Sequence, residues 1–451
     1  MTITEDKREL ALRNEKIPKL IMKMSAPAII AMIVMSAYNM VDALFMGMLG
    51  TEALGAATVG YPYFMILTAL GLMFGMGGAS YQSRLLGEKT MDMAEKVVAT
   101  VFVSGAVLGI TATLISVPMS EGIARLFGAN DTLLSASVDY IWILSMGAVF
   151  PILSMCANNL LRAEGSAMLS LIGIGLGAII NIGLDPLFIF GFNMGVKGAA
   201  LATVISQVIS MIVLLSFYFR KKTLVRLKLS QFYPKLNMYV EILKVGGAAF
   251  LQQLLVTISM AIMNTVAGNL GGVASGAALV ASIGIINRLS MLGYSVMMGF
   301  GQGLQPVIGY NYGAKQLIRV RKSINFAFAV TTIFGILLAI VSLTASTPLA
   351  SIFSKSKDVL EPTAMGLKLL AISWPVTGLF FVTQVLFQAL GRAGQAIILA
   401  TSRQLFVILC AVLLPIPFGI DGFMGAMSVS MLLAAGIAVL LYIPYHHELK
   451  Y

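Results

Sequence analysis

The 451-residue chain is 58% hydrophobic and only 11% charged, with a mean hydropathy of +0.92 and a net charge of +11. It has too little polar surface to cover a soluble globule, so it reads as an all-α integral membrane protein. Cys156 and Cys410 sit in apolar runs in opposite halves, which disfavours a disulfide, and no metal-ligand cluster, nucleophile with its base or phosphate loop is present, so neither an enzyme nor a cofactor is expected.

The opening MTITEDKRELALRNEKIPKL is polar and lacks the apolar core of a signal peptide. Residues 1–22 therefore read as a cytoplasmic leader. About 20 apolar residues cross the hydrocarbon core as a helix. That ruler predicts a first lobe over 23–219, with spans near 24–49, 54–80, 97–117, 136–160, 168–191 and 195–219. A basic linker over 220–241, containing RKKTLVRLKLSQFYPKLN, stands at the midpoint. A second lobe over 242–445 follows, with spans near 242–268, 274–309, 324–346, 364–390, 396–418 and 422–445, and 446–451 form a solvated tail. The eighth span is too long for one untilted crossing and contains Arg288, so it is expected to extend past the bilayer or to bend at its glycines.

Most of the 30 Lys and Arg fall in the leader, the midpoint linker and the loops on the same side of the bilayer as these. The opposite loops hold only Arg125, Lys197, Lys355, Lys357 and Lys368. By the positive-inside rule both termini are cytoplasmic, which requires an even number of spans. Topology thus accounts for the positive charge, and no nucleic-acid partner is needed; nor does the sequence point to a protein partner.

The midpoint linker prompts a search for duplication. At an offset of 226, FGMGGASYQSRLLGEK (Phe74 to Lys89) lies over FGQGLQPVIGYNYGAK (Phe300 to Lys315), and Ala163 and Gly165 fall on Ala389 and Gly391. Each half holds six spans and so begins and ends on the same side. The expected architecture is two parallel six-helix bundles related by a pseudo-two-fold axis along the membrane normal, as in secondary transporters whose substrate lies between rocking halves.

These motifs, with NMVDALFMG in the first span and NIGLDPLFIFGFNMGVKGAALAT in the fifth and sixth, resemble the multidrug and toxic compound extrusion (MATE) transporters, most closely the DinF-like and MepA-like prokaryotic members. The resemblance runs from about Lys19 to Tyr445. It implies cation-driven export of diverse, often cationic and aromatic compounds across a prokaryotic cytoplasmic membrane. It also implies a buried polar cluster of Asp42, Asn181 and Asp185, with Tyr140 and Thr203 as further members, Asn158 as a fourth-span contributor, and a first-helix bend at Pro27. The acidic residues that the Na+-dependent NorM-like branch carries in its second lobe are missing from GGAAFLQQLLVTISMAIMN and AMGLKLLAISWPVTGLFFVTQVLFQAL.

Apart from any family, a carboxylate near the bilayer centre costs at least about 2.5 to 3.5 kcal/mol and so marks a functional site. Asn181 and Asp185 are spaced i, i+4 and share a helix face. Spans one and five run in the same direction, and at about 1.5 Å per residue Asp42 and Asp185 both lie roughly 25 to 29 Å from the cytoplasmic end. Two desolvated carboxylates close together cannot both stay charged cheaply. Such a pair can carry a proton, can ligate Na+ together with Asn181, or can neutralise a cationic drug. Pro186 removes a backbone donor and is expected to kink the helix there. The structural alternatives are a helix cap for Asp185, an interfacial aromatic for Tyr140, and interhelical bonds for Thr203 and Asn158; Arg288 suits a helix tether or a snorkelling cation.

The resulting expectation is an antiporter coupled to H+, or to Na+, with Asp42 and Asp185 as the coupling pair, small organic molecules as substrates and lipid as its surroundings. A lipid-linked oligosaccharide flippase of related architecture is the rival, and would want a basic cavity, for which only Arg288 and Arg403 are available. A passive channel is a third reading, and it would not need duplicated halves.

Overall fold

The computed structural model describes residues 10–129, 131–270, 272–354 and 356–448. The start of the leader (1–9), Lys355 and the end of the expected tail (449–451) lie outside them. Among these residues the structure is mostly helical, with no strand. In the first half the helices are α1 (Ile17–Met48), α2 (Thr51–Gly87), α3 (Met91–Ser116), the short α4 (Ser120–Leu126), α5 (Asp131–Met146), α6 (Val149–Ala163), α7 (Ala167–Pro186) and α8 (Gly195–Phe219). The second half contains α9 (Leu236–Leu270), α10 (Gly272–Gly313), α11 (Leu317–Thr344), the short α12 (Ser346–Ser351), α13 (Lys357–Ala389), α14 (Ala393–Leu413) and α15 (Pro415–Glu448).

Eleven of these helices are individually long and apolar enough to cross a bilayer, and α5 with α6, bent by 52° around Gly147 and Ala148, supply the twelfth crossing. The fourth span expected near 136–160 is therefore broken rather than straight. Most helices outrun the apolar ruler: α1 starts at Ile17 and α9 at Leu236, because a helix continues into the polar zone where hydropathy has already fallen. The long eighth span is one helix, α10, whose 42 residues reach about 63 Å at ordinary helical rise, so it extends past the hydrocarbon and does not break. The last helix does break, at Gly419 with φ 56 and ψ −135. Large apolar side chains such as Leu44, Leu114, Ile179, Ile333 and Leu440 point outward, as expected of helices solvated by lipid.

The two halves pack in matching ways. Helix α1 lies on α7 and α9 on α14; α7 pairs with α8 and α14 with α15. Between the halves, α1 packs on α10 and α9 on α2, the same partnership exchanged. Lipid offers no hydrophobic drive for this association, so it depends on close van der Waals approach and small residues. Backbone meets backbone at the ends carrying the basic loops. A Cβ on Gly77 would strike the Ile242 carbonyl, one on Gly246 the Met73 carbonyl, and ones on Gly87 and Gly313 the carbonyls of Tyr310 and Arg84. On the α1 and α10 contact a Cβ on Gly299 would fall 2.5 Å from Ile29 Cα. The glycines of the repeated motif, Gly77 and Gly87 among them, thus serve helix approach.

Polar bonds cross the same seam. Ser25 Oγ donates to the Phe300 carbonyl at 3.0 Å, Ser80 Oγ to the Gln388 carbonyl, and Arg84 Nη2 pairs with Glu241 Oε2 at 3.4 Å. The leader also bridges the halves. Leu12 is buried beside Gly165 of the first half, while Arg319 of α11 donates to the carbonyls of Leu12 and Glu15 at 3.3 and 2.9 Å. The midpoint linker folds onto the first half: Glu164 accepts the backbone N–H groups of Leu224 and Val225, and Lys228 pairs with Glu95 at 2.8 Å.

Gly246→Val should force these ends apart, since overpacking costs about 1–3 kcal/mol and the obstacle is a backbone carbonyl rather than a pliable side chain. Spin labels at Glu88 and Ile318 should report a longer, broader distance distribution in the variant than in the wild type. An unchanged distribution would mean that the α2 and α9 contact does not hold the seam.

Candidate cation and substrate site

The carboxylates meet where α1 packs against α7. Tyr38 and Asp42 lie one turn apart on α1, and Asn181 and Asp185 one turn apart on α7. Asn181 and Asp185 are almost completely buried, and Asn181 Nδ2 donates to Asp185 Oδ1 at 3.4 Å. Asp185 lies within electrostatic reach of Asp42, and Tyr38 and Tyr140 within reach of both carboxylates and of Tyr61. Tyr140 is held in place by α2, where its ring fills the space a side chain on Gly60 would need.

The oxygens in this cluster are not all satisfied. Asp42 Oδ1, Asn181 Oδ1 and Asp185 Oδ2 are buried without a hydrogen-bond partner among the described residues. Unpartnered buried acceptors are costly unless a proton, a water or a cation satisfies them. The donor set is two carboxylates and neutral oxygens, and among the described residues no three His, Cys, Asp or Glu side chains converge. Hard oxygens of this kind fit H+ or Na+; they lack the imidazole and thiolate that transition metals favour.

Beside the cluster is a cavity of about 40 Å³, roomy enough for water, lined by Tyr38, Ser154, Asn181, Thr203, Ser206 and Gln207 among others. Thr203 thus joins Asn181 on one wall. Thr203, Ser206, Gln207 and Ser210 recur at i, i+3, i+4 and i+7 along α8, a polar stripe of which only Thr203 was singled out from the sequence. Tyr38 and Tyr61 were also missed. The i, i+4 spacing of Tyr38 and Asp42 was there to be read, whereas Tyr61 depends on how α2 lies against α1 and has no local signal.

Asn158 is not brought to this cluster. Its Oδ1 accepts from Arg162 Nη1 at 2.9 Å and from Ser170 Oγ, near the basic end of α6, where Arg162 also donates to Asn159. Its role there is to satisfy a buried guanidinium. Pro27 lies within α1, which continues as α-helix on both sides. Beyond Pro186 the chain widens into a π-helix, Leu187–Gly191, which accommodates the missing donor by a change of register. Arg288 is exposed on α10. Cys156 and Cys410 are separate buried thiols.

The family model described as MatE matches residues 27–187 and 248–419. The chain belongs to the MATE family of membrane transporters. Among relatives, the multidrug export protein MepA of Staphylococcus saprophyticus is 30% identical over 440 residues, covering 97% of this chain and 95% of that one. MepA of Staphylococcus aureus strain MSSA476 is 29% identical over 430 residues, 95% of this chain and 94% of the relative. A MOP-superfamily transporter of Pyrococcus furiosus, described as having a binding pocket of reversed polarity, superposes with a TM-score of 0.92 at 26% identity over 99% of both chains. A multidrug-resistance MATE transporter in an outward-facing conformation superposes equally well, with a TM-score of 0.92, 26% identity and 99% coverage of both chains. The twelve-helix MATE architecture expected from the sequence is the one observed.

Asn158→Ala should destabilise the protein by about 1–3 kcal/mol, the range for leaving a buried polar group short of a partner. It should leave the ion dependence of transport unchanged. Thermal unfolding in nanodiscs, paired with liposome transport, separates the two effects; a changed ion dependence would return Asn158 to the site.

Proposed function

We infer that this MATE-family protein exports organic, often cationic molecules in exchange for H+, with Na+ the alternative occupant of the same oxygens, and that Asp42, Asn181 and Asp185 form the coupling site. The observation that carries the reading is the cluster of three unpartnered buried oxygens on those residues. A cation entering from the outside satisfies them; a cationic substrate arriving from the inside competes for the same negative charge. Because both cannot hold it together, downhill entry of one drives uphill exit of the other. The MepA relatives, named as multidrug exporters, support the substrate class.

The basic loops support a cytoplasmic location for their face and for both termini, in a prokaryotic cytoplasmic membrane. The glycine seam and the Arg84–Glu241 pair then close the cytoplasmic side. Thr203, Tyr38 and Tyr140 line or flank the path, and the π-helix after Pro186 gives α7 a place to change register as the halves rock. The lobes act as the moving bodies about the midpoint linker.

Efflux of a fluorescent organic cation from liposomes, with a pH gradient and a Na+ gradient imposed separately, tests the scheme. Wild-type protein should respond to one gradient, the pH gradient being expected, and Asp185→Asn should lose about tenfold or more of that rate. Efflux insensitive to both gradients would sink coupled exchange, and a full rate in Asp185→Asn would remove this carboxylate from the coupling.

A further inference from the structure

The duplication permits a comparison of the two lobe interiors position by position. At the offset of 226, the fourth- and fifth-span members of the first-half site fall on residues that cannot repeat their chemistry: Asn181 on Val407, Asp185 on Ala411 and Tyr140 on Gly366. Val407 and Ala411 belong to an apolar cluster filled by Phe423, Met424 and Ile286. The wall of the neighbouring cavity behaves differently. Gly177 and Ala178, which line it, fall on Arg403 and Gln404, while Ser154 and Met155 fall on Phe380 and Phe381. Where the first half leaves a polar cavity, the second inserts a guanidinium.

The contacts of Arg403 agree with that placement. Its guanidinium lies 4.9 Å from the centre of the Tyr294 ring, and Tyr294 in turn packs on Trp374 at 5.0 Å and Phe381 at 6.1 Å. Arg403 is on α14 and Tyr294 on α10, and these helices are not close-packed neighbours, so the side chain reaches across the inside of the lobe instead of out to lipid. From Ala393 at the basic end of α14, Arg403 is about 15 Å deep, near the middle of a hydrocarbon core of roughly 30 Å. Among the described residues no carboxylate lies within ion-pairing distance of it. A mid-membrane cation with only a ring face for company is costly, and such charges mark substrate or ion pathways.

We propose that Arg403, on its platform of Tyr294, Trp374 and Phe381, is an anion subsite of the transport pathway that receives the carboxylate of aromatic zwitterionic substrates. The proposal rests on the efflux reading for the pathway itself, and adds a polarity to it. The first half presents negative charge and the second positive, so an aromatic molecule carrying an amine and a carboxylate is matched at both ends. Guanidinium suits this task because it can bond a carboxylate through two parallel N–H groups while its face stays on the ring.

The test uses one aromatic amino acid-type compound as the zwitterion and its methyl ester as the cation, and measures binding to full-length protein in nanodiscs. The chain has two tryptophans, Trp142 and Trp374; a Trp142→Phe background leaves Trp374, beside the proposed subsite, as the fluorescent reporter. Arg403→Gln should weaken the zwitterion about tenfold or more and leave the ester unchanged or tighter, and Arg403→Lys should recover part of the loss. Equal losses for both compounds, or for neither, would overturn the subsite and leave Arg403 as a packing partner of Tyr294. If Arg403→Gln does not fold, the Arg403→Lys and wild-type proteins still decide: a wild type that binds the ester and not the zwitterion, or an Arg403→Lys that treats the two alike with wild type, refutes the proposal. Ester efflux with a silent zwitterion would defeat this inference alone, while loss of gradient-driven ester efflux would defeat the exporter reading.

Discussion

Helices immersed in lipid gain little from burying one apolar surface against another, so the organisation of this protein depends on how closely backbones can approach. Glycine supplies that approach where α2 meets α9 and where the ends of α2 and α10 cross. At Gly77 and Gly246 the neighbour is a main-chain carbonyl, which cannot be pushed aside as a side-chain methyl can. An interface of this kind is either seated or parted, with little between, which is the physical requirement for two discrete arrangements of packed bodies. The bonds from Ser25 and Ser80 and the Arg84–Glu241 pair add direction to a contact that van der Waals packing would leave free to slide.

The halves share a fold but not a chemistry. In one, α1 and α7 converge on two carboxylates, an asparagine and a polar stripe from α8; in the other, the corresponding space is filled with apolar side chains, Phe423 among them, and crossed by Arg403. Symmetric architecture with asymmetric contents separates two jobs. On the proposed coupling, one half would hold the group that changes charge, and the other would present a fixed environment while its partner does so.

Much of this was legible in the sequence because membranes make certain residues expensive. Asp42 and Asp185 stood out by their cost, Asn181 by its spacing from Asp185, and the number of spans by length and hydropathy. The repeat was visible because glycines that touch a backbone cannot be exchanged without moving it, so Gly77, Gly87 and Gly313 keep a readable pattern. What escaped depends on tertiary placement. Asn158 is the local exception: its i, i+4 spacing from Arg162 was itself readable, and its oxygen faces that guanidinium. Tyr61 has no periodic signal tying it to Asp42. The broken span of α5 and α6 was hidden because hydropathy measures composition and is blind to direction.

The leader segment has a mechanical meaning. Leu12 is anchored against the first half, and Arg319 of the second grips the carbonyls of Leu12 and Glu15, while α1 begins at Ile17 with a single residue of slack. A leash that short cannot stretch across a widening gap. Any motion that parted the halves at this face would first have to unhook one end of it, so residues 12–16 form a clasp whose grip would set a threshold for such a motion.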